Sequence, residues 1–442
     1  MNKNVVIITY DMIPNSISWG GCQRMYYLAC QLHRDGYNAT VFSCNKKANN
    51  TFGNPIPFDI KPLDIKNRLM RAILNPNQKA DGLFQETDPL KPSLVQRIKN
   101  TLKNSGLFFK LLRKIEKIIC NEPNFFQGFI SKSWCNGAKD EIISFICENG
   151  VKNVIISAPP FGMFWMSTYI RKKFRNINVI LDYRDPWNMW DKGSLISKER
   201  ERKALVAADN IVCTTEYLAR DMAAAFSIPE QKFTVIANGY SEDNWYNISV
   251  ESSTCAKMVI TYVGTIDYHQ KGSYRDTSKL FDAFEKMLIE GRPVLLRFVG
   301  VINPNTEVVR CIKGRFKENV EIMGIVDSKK AAEYMLCSDV LLLLHTTEDN
   351  SAKYIISGKM YDYIKAGKAI LSIGSKDGIH CRMVQEHNFG VHSDNDEDEI
   401  FSKLTHLYAL WTESKLNKYV NIDNSCKYSR EYQNAKYIEM LS

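Results

Sequence analysis

The chain has 442 residues, 45% of them hydrophobic and 24% charged, with 23 Gly and 14 Pro. At roughly 150 residues per domain this is two or three domains of ordinary folded composition, which excludes a single small module, a disordered chain and a fibrous repeat. The formal charge is +9, yet 13 lysines and arginines against 5 acids lie between Lys61 and Cys120, so the excess belongs to one segment. The 12 cysteines stand singly, without a Cys-x-x-Cys pair or a histidine at ligand spacing. They read as thiols of a reducing compartment, and neither a metal nor a cofactor is expected.

In chain order, Val5–Ile8 is too short an apolar run for a signal peptide before Asp11 and reads as a first buried strand. Gly20-Gly21 then precede Met25, Leu28, Ala29 and Leu32 at helical spacing. Two glycines there either let backbone amides approach a phosphate or sugar at the positive end of a helix, or form a flexible turn. Ala39–Ser43 is a second strand. In the basic segment Leu94, Ile98 and Leu102, then Leu107, Phe108, Leu111, Leu112 and Ile115, recur at helical spacing among Arg97, Lys99, Lys103, Lys110, Arg113, Lys114 and Lys117. Such a stripe either lies on an anionic membrane surface or packs on its own domain with solvated lysines. Nucleic acid is not an expected partner, because no aromatic-basic strand or recognition-helix pattern accompanies the charge.

The uncharged stretch Asn153–Ile170 approaches bilayer-spanning length, but Pro159-Pro160 interrupts it. A strand over Val154–Ser157, a turn and a helix over Phe164–Lys173 fit better. Val179–Asp182, Ile211–Thr214 and Phe233–Ile236 complete a first set of strands, and the polar, aperiodic Asn238–Lys257 reads as a linker. A second set follows at Met258–Val263, Leu295–Val299, Val320–Met323, Val340–Leu344, Ala369–Ile373 and Gly390–His392. Strands alternating with helical patterns in both halves predict an α/β protein: two Rossmann-like domains whose parallel sheets face across a cleft at their carboxyl edges. The expected boundaries are 1–240, carrying the basic insertion at about 61–120, then 257–410, and a closing helical segment 411–442 that crosses back to the first domain.

Chemistry is therefore sought in loops after strands. Asp182-Tyr-Arg184-Asp185-Pro-Trp187 crowds three charges onto the end of a strand, where an unpaired charge is costly. Arg184 and Asp185 are either functional or a structural ion pair. Gly264 ends a strand and Lys271 precedes a helix, a pairing that suits a diphosphate, with a surface lysine as the alternative. Val340–Leu344, Ser357-Gly358-Lys359-Met-Tyr-Asp362 and Ala369–Ile373 form a complete βαβ unit. Its helix start offers amides, a hydroxyl and Lys359 to an anion. Asp362, one turn in, either accepts hydrogen bonds from ribose hydroxyls or only complements the helix dipole.

With Gly20-Gly21 and Arg24, Ser157-Ala-Pro-Pro160, Asp182–Trp187, Val235-Ile-Ala-Asn-Gly239, Tyr262-Val-Gly264 and Lys359-Met-Tyr-Asp-Tyr363 in this order, the chain resembles the GT-B glycosyltransferases, and in particular the retaining family 4 group that builds bacterial surface polysaccharides. The resemblance implies a nucleoside-diphosphate sugar bound by the second half and a saccharide or lipid-linked acceptor bound by the first. Lys271 matches the family's phosphate-binding lysine, whereas its partner arginine is Thr265, its paired glutamates are Tyr354 and Asp362, and its cleft histidine is Arg184. By that resemblance Arg184, Asp185 and Lys271 serve catalysis. Gly20, Gly21, Gly264, Thr265, Lys271, Ser357, Gly358, Lys359 and Asp362 line the donor, and Arg24, Pro160, Asp182 and Trp187 the acceptor. A cytoplasmic enzyme is expected, peripheral on the inner face of the cell membrane where the basic stripe is free. A nucleotide-sugar epimerase of the same fold and a non-catalytic sugar-nucleotide-binding scaffold are the alternatives.

Overall fold

The computed structural model describes residues 3–441 apart from 15, 17–18, 47–54, 68–69, 71–105, 125, 190, 192, 249–255, 266–276, 302–306, 346–349 and 424. The chain divides into two compact units, Met1–Ile236 with Asn434–Ser442, and Ala237–Gln433.

The first unit is built on seven parallel strands: β1 (Asn4–Thr9), β2 (Asn38–Cys44), β3 (Asp59–Leu63), β4 (Asn153–Ala158), β5 (Asn178–Tyr183), β6 (Asn210–Cys213) and β7 (Phe233–Val235), in the order β3-β2-β1-β4-β5-β6-β7. Val5–Ile8, Val154–Ile156 and Val179–Leu181 are uninterrupted buried runs, as a parallel sheet covered on both faces requires. The covering helices are α1 (Trp19–Arg34), α2 (Gly106–Ile119), α3 (Gln127–Glu148), α4 (Trp165–Lys173), α5 (Leu195–Ala207) and α6 (Glu216–Phe226). On one face Met25, Leu28 and Leu32 of α1 pack with Val5, Ile7, Val41, Ile155 and Ile180. Strand order reverses between β1 and β4, so the loops after these strands flank the crevice where open α/β sheets take ligands.

The second unit repeats the plan with six parallel strands: β8 (Met258–Val263), β9 (Val294–Val299), β10 (Val320–Gly324), β11 (Val340–Leu344), β12 (Ala369–Ile373) and β13 (Gly390–Ser393), ordered β10-β9-β8-β11-β12-β13. Its helices are α7 (Ser278–Ile289), α8 (Glu307–Phe316), α9 (Ser328–Leu336), α10 (Gly358–Ala366), α11 (Ile379–Glu386), α12 (Glu397–Thr412), α13 (Leu416–Tyr419) and α14 (Arg430–Glu439), the last of which carries the chain into the first unit. Ile260, Tyr262, Phe281, Phe284, Leu296, Phe298, Leu342 and Leu371 form its core. Here the order reverses between β8 and β11, and the next helix along the chain, α10, ends on Gly367 at φ +65°, a left-handed cap that glycine adopts without strain.

At the start of the expected linker Asn238–Lys257, Gly239 has φ +72°, a Cβ there would lie 2.8 Å from the Tyr428 carbonyl oxygen, and Tyr240 bridges to Ser429. The edge strand β3 went unpredicted because Asp59-Ile-Lys-Pro-Leu63 lacks an apolar run. An edge strand can carry Pro62 and exposed charges since its outer side makes no ladder bonds.

Candidate functional site

At the carboxyl edge of the first unit's sheet, Arg184 follows β5 and donates hydrogen bonds to the carbonyls of Gly21, Pro159 and Ala158. One guanidinium thus ties the start of α1 to the Pro159-Pro160 turn. Arg184 and Asp185 do not form an ion pair. Among the described residues the half-buried carboxylate of Asp185 has no hydrogen-bond partner, and burial pushes its pKa above the usual carboxylate range against the pull of Arg184. An unpaired carboxylate of raised pKa at this edge has the properties of a general base or an orienting acceptor for a hydroxyl.

Two residues that the sequence reading passed over join it. Asp11, after β1, is ion-paired with the buried Lys46 and accepts a hydrogen bond from Ser16 Oγ at 3.1 Å. Lys46 Nζ lies 4.3 Å from the centroid of the Tyr10 ring. A Cβ on Gly21 would lie 3.4 Å from Asp11 Oδ2, so this carboxylate stands beside the first turn of α1. The position of both charges just past strand ends was the signal that could have found them. Gly20 lies with Gly21 in that first turn.

The expected acceptor residues are mostly beneath the surface. Asp182 is fully buried: Arg24 Nε donates to its Oδ1 at 3.0 Å, the Tyr437 hydroxyl at 2.6 Å, and Ser157 Oγ to its Oδ2 at 2.7 Å. Arg24 also donates to the Ile236 carbonyl and the Tyr437 hydroxyl, both at 2.8 Å. Trp187 stacks on Phe161, ring centroids 5.3 Å apart, and donates to the Cys120 carbonyl. Pro160 is buried as well. These four form the framework of the first unit, and a direct acceptor contact by Arg24, Asp182 or Trp187 does not fit their burial.

The basic helix α2 is docked by its end. Ser194, Arg200 and Trp187 side chains donate to the carbonyls of Ile118, Ile119 and Cys120. The buried Glu116 carboxylate accepts from the amides of Phe126, Gly128 and Phe129 and so caps α3, whose own N-cap residue offers no side chain for the purpose. On the other side Leu111, Ile115 and Ile118 are 53%, 37% and 39% exposed, beside exposed Lys110, Arg113, Lys114 and Lys117. The earlier half of the stripe, Leu94–Leu102, lies outside the described residues. No helix among the described residues is long and apolar enough to cross a membrane.

In the second unit Gly264, Thr265, Ser357, Gly358, Lys359 and Asp362 belong to the loop after β8 and the start of α10. Lys359 Nζ donates to the Tyr262 hydroxyl at 2.6 Å and lies 4.0 Å from that ring's centroid, while the hydroxyl donates to the Thr265 carbonyl at 3.0 Å. Gly264 has φ +130°, and a Cβ on it would stand 2.4 Å from Lys359 Nζ. The side chain of Tyr363 fixes the strands behind them, taking a hydrogen bond from the Val263 amide and giving one to the Leu342 carbonyl. A Cβ on Gly358 would meet nothing within 4 Å, so the helix is uncrowded beside this residue.

The amide of Ser357 is not an open donor as expected. It is engaged with His380 Nε2 at 2.9 Å. Burial pushes the half-buried Asp362 up to about 6, opposed by Arg430, and among the described residues its carboxylate has no hydrogen-bond partner. Tyr354, at the position of the first family glutamate, is buried and cannot replace a carboxylate. Lys271 lies outside the described residues, and no group of metal-ligating side chains occurs among them.

Two Rossmann-like units, each a parallel sheet with polar residues gathered where strand order reverses, define the GT-B fold. No protein-family model and no curated protein matches the sequence. Among solved structures, the chain is similar to a glycosyltransferase from Rickettsia africae, at 11% identity and a TM-score of 0.62, over 100% of this chain and 98% of that one. It is similar to HepE of Anabaena in complex with UDP, at 11% identity and a TM-score of 0.57, over 99% of each chain. A UDP-GlcNAc 2-epimerase from Methanocaldococcus jannaschii has the same identity, 11%, with a TM-score of 0.54 over 99% of each chain. Likeness at this identity speaks to the fold.

Proposed function

We propose that this protein is a glycosyltransferase that moves a sugar from a nucleoside-diphosphate sugar to a saccharide or lipid-linked acceptor. The carrying observation is the start of α10, where Lys359 reaches to the end of β8 beneath Gly264 and Asp362 stands one turn along without a hydrogen-bond partner among the described residues. A cation in the first turn of a helix suits a diphosphate, and a carboxylate set back from it suits ribose hydroxyls. The binding of UDP by the similar HepE supports this donor class.

In the transfer, the bond from the anomeric carbon to the leaving phosphate oxygen breaks and one to an acceptor hydroxyl oxygen forms. Lys359, the amide of Gly358 and, by the family resemblance, Lys271 offset the charge growing on the diphosphate. The acceptor proton passes to the leaving phosphate, with Asp185 orienting the hydroxyl, which fits retention without an enzyme nucleophile. Within the first unit, Arg184 holds the start of α1, where Gly20 and Gly21 lie, against the Pro159-Pro160 turn.

The exposed apolar stripe of α2 and its four cations suit an anionic lipid surface, which would bring the enzyme to lipid-linked acceptors. That reading places the protein on the cytoplasmic face of the membrane. An epimerase reading draws support from the Methanocaldococcus structure. Incubation with UDP-, GDP- and CDP-sugars separates them. Transfer predicts nucleoside diphosphate released only with an acceptor, and sugar isomerisation without any acceptor would overturn it.

A further inference from the structure

His380, in the first turn of α11, is 2% exposed, and its Nε2 accepts the hydrogen bond of the Ser357 amide at 2.9 Å. An accepting Nε2 is unprotonated, so the neutral ring carries its hydrogen on Nδ1. That Nδ1–H has no hydrogen-bond partner among the described residues. Burial, and then the neighbouring His345 and His392, hold the pKa of His380 well below the ordinary value. The ring of His345, which follows β11, packs on it with centroids 3.9 Å apart, and Gly374 makes the room, since a Cβ there would lie 3.0 Å from that of His345.

The bond matters because of what Ser357 is. It is the N-cap residue of α10, with extended backbone at φ −61° and ψ 133°, and its hydroxyl makes no capping bond. Ser194, Thr215, Asp327 and Asp396 start four other helices with their own side chains accepting from the first turn. At α10 the direction is reversed: the cap residue's own amide is gripped from outside, by a ring on another helix. Beside this grip, a Cβ on Gly358 would meet nothing within 4 Å, so the next residue of the turn is uncrowded.

We propose that His380 is a positioning residue of the donor site, which fixes the N-terminal turn of α10 by accepting the Ser357 amide hydrogen and so aims Gly358 and Lys359 at the diphosphate. A buried imidazole kept neutral suits this task, because a charged one has no acceptor to offer. The inference rests on the donor reading above only for what α10 binds. The grip on Ser357 is a property of the free protein.

The test compares His380→Gln, His380→Asn and His380→Leu. Gln Oε1 reaches the place of Nε2; Asn Oδ1 falls short of it, and Leu fills volume without an acceptor. Native-state hydrogen exchange of the free protein should show Ser357 exchanging about ten-fold faster in the Asn and Leu variants, and near the parent rate in the Gln variant. Calorimetric affinity for UDP, GDP and CDP should follow the same order, with the best-bound diphosphate weakened about ten-fold by Asn and Leu. Like exchange at Ser357 in all three variants, or in the parent and the Leu variant, would overturn the proposal. Should exchange follow the predicted order while the parent binds none of the three diphosphates, the positioning role stands and the donor reading falls.

Discussion

Lys359 occupies the space that a side chain at residue 264 would need, its Nζ 2.4 Å from where a Cβ on Gly264 would stand. The glycine at the end of β8 and the lysine in the first turn of α10 are therefore one device, in which the bare backbone lets the cation reach the sheet edge. Gly264→Ala combines a displaced ammonium with a side chain at φ +130°, a cost of about 1–3 kcal/mol. Denaturant unfolding should show that loss, and diphosphate affinity should fall with it. Affinity equal to the parent's would show that Lys359 does not serve the anion from this position.

Asp362 supplies a prediction with opposed signs for stability and binding. Its folded pKa, raised to about 6 by burial, exceeds that of the unfolded chain, so the folded state holds the proton more tightly. Stability from this group is full below about pH 4 and is lost as pH rises to about 6, by up to about 3 kcal/mol. Asp362→Asn should therefore be more stable than the parent at pH 7.5 and the same near pH 4. If the charged form accepts ribose hydroxyls, the same substitution weakens nucleosides and nucleotides alike by about ten- to a hundred-fold. A variant that is both more stable and unimpaired in binding would reduce Asp362 to an ill-placed charge.

The two aspartates after β5's core run should separate cleanly. Asp182 answers Arg24 and Tyr437 in a buried network, so Asp182→Asn or Arg24→Met leaves a charge unpaired and costs about 3–5 kcal/mol in urea unfolding, while Tyr437→Phe costs about 1–3. Asp185→Asn should leave stability unchanged or slightly raised at neutral pH and lower turnover without weakening the donor. Donor affinity falling as far as turnover would place Asp185 on the wrong substrate.

Helix α2 should bind anionic vesicles in a salt-sensitive way. Glutamine at Lys110, Arg113 and Lys114 should weaken adsorption about five-fold per charge. Lys117 should count for less, because it already pairs with Asp191 at 2.6 Å. Serine at Leu111 and Ile115 should weaken it further. Adsorption that ignores both salt and these changes would assign the stripe to something other than lipid.

Much of the fold could be read from residues because parallel strands buried on both faces are continuous apolar runs, and Val340–Leu344 or Val154–Ile156 admit few other structures. Asp59–Leu63 could not, since an edge strand is held by one neighbour's ladder and needs no apolar run. In the second unit, the placing of Gly264 at a strand end and of Lys359 and Asp362 at a helix start was recognisable because a glycine and a helix start have local signatures. The first unit misled at Asp182, Arg24 and Trp187: a charge or an aromatic at a strand end looks alike in sequence whether it faces a ligand or a buried partner 158 residues away. Asp11 and Lys46 were passed over although both stand just past strand ends, and His380 was missed because its role comes from a contact that only the folded chain makes.

The central claim is that α10 holds a nucleoside diphosphate, and the most direct measurement is calorimetric titration of UDP, GDP and CDP into the parent and into Lys359→Met. One diphosphate should bind the parent, and the variant should bind it about ten- to a hundred-fold more weakly while retaining affinity for the bare nucleoside, as loss of a charge-assisted contact requires. A parent that binds none of the three, or a variant that binds as the parent does, would contradict the account.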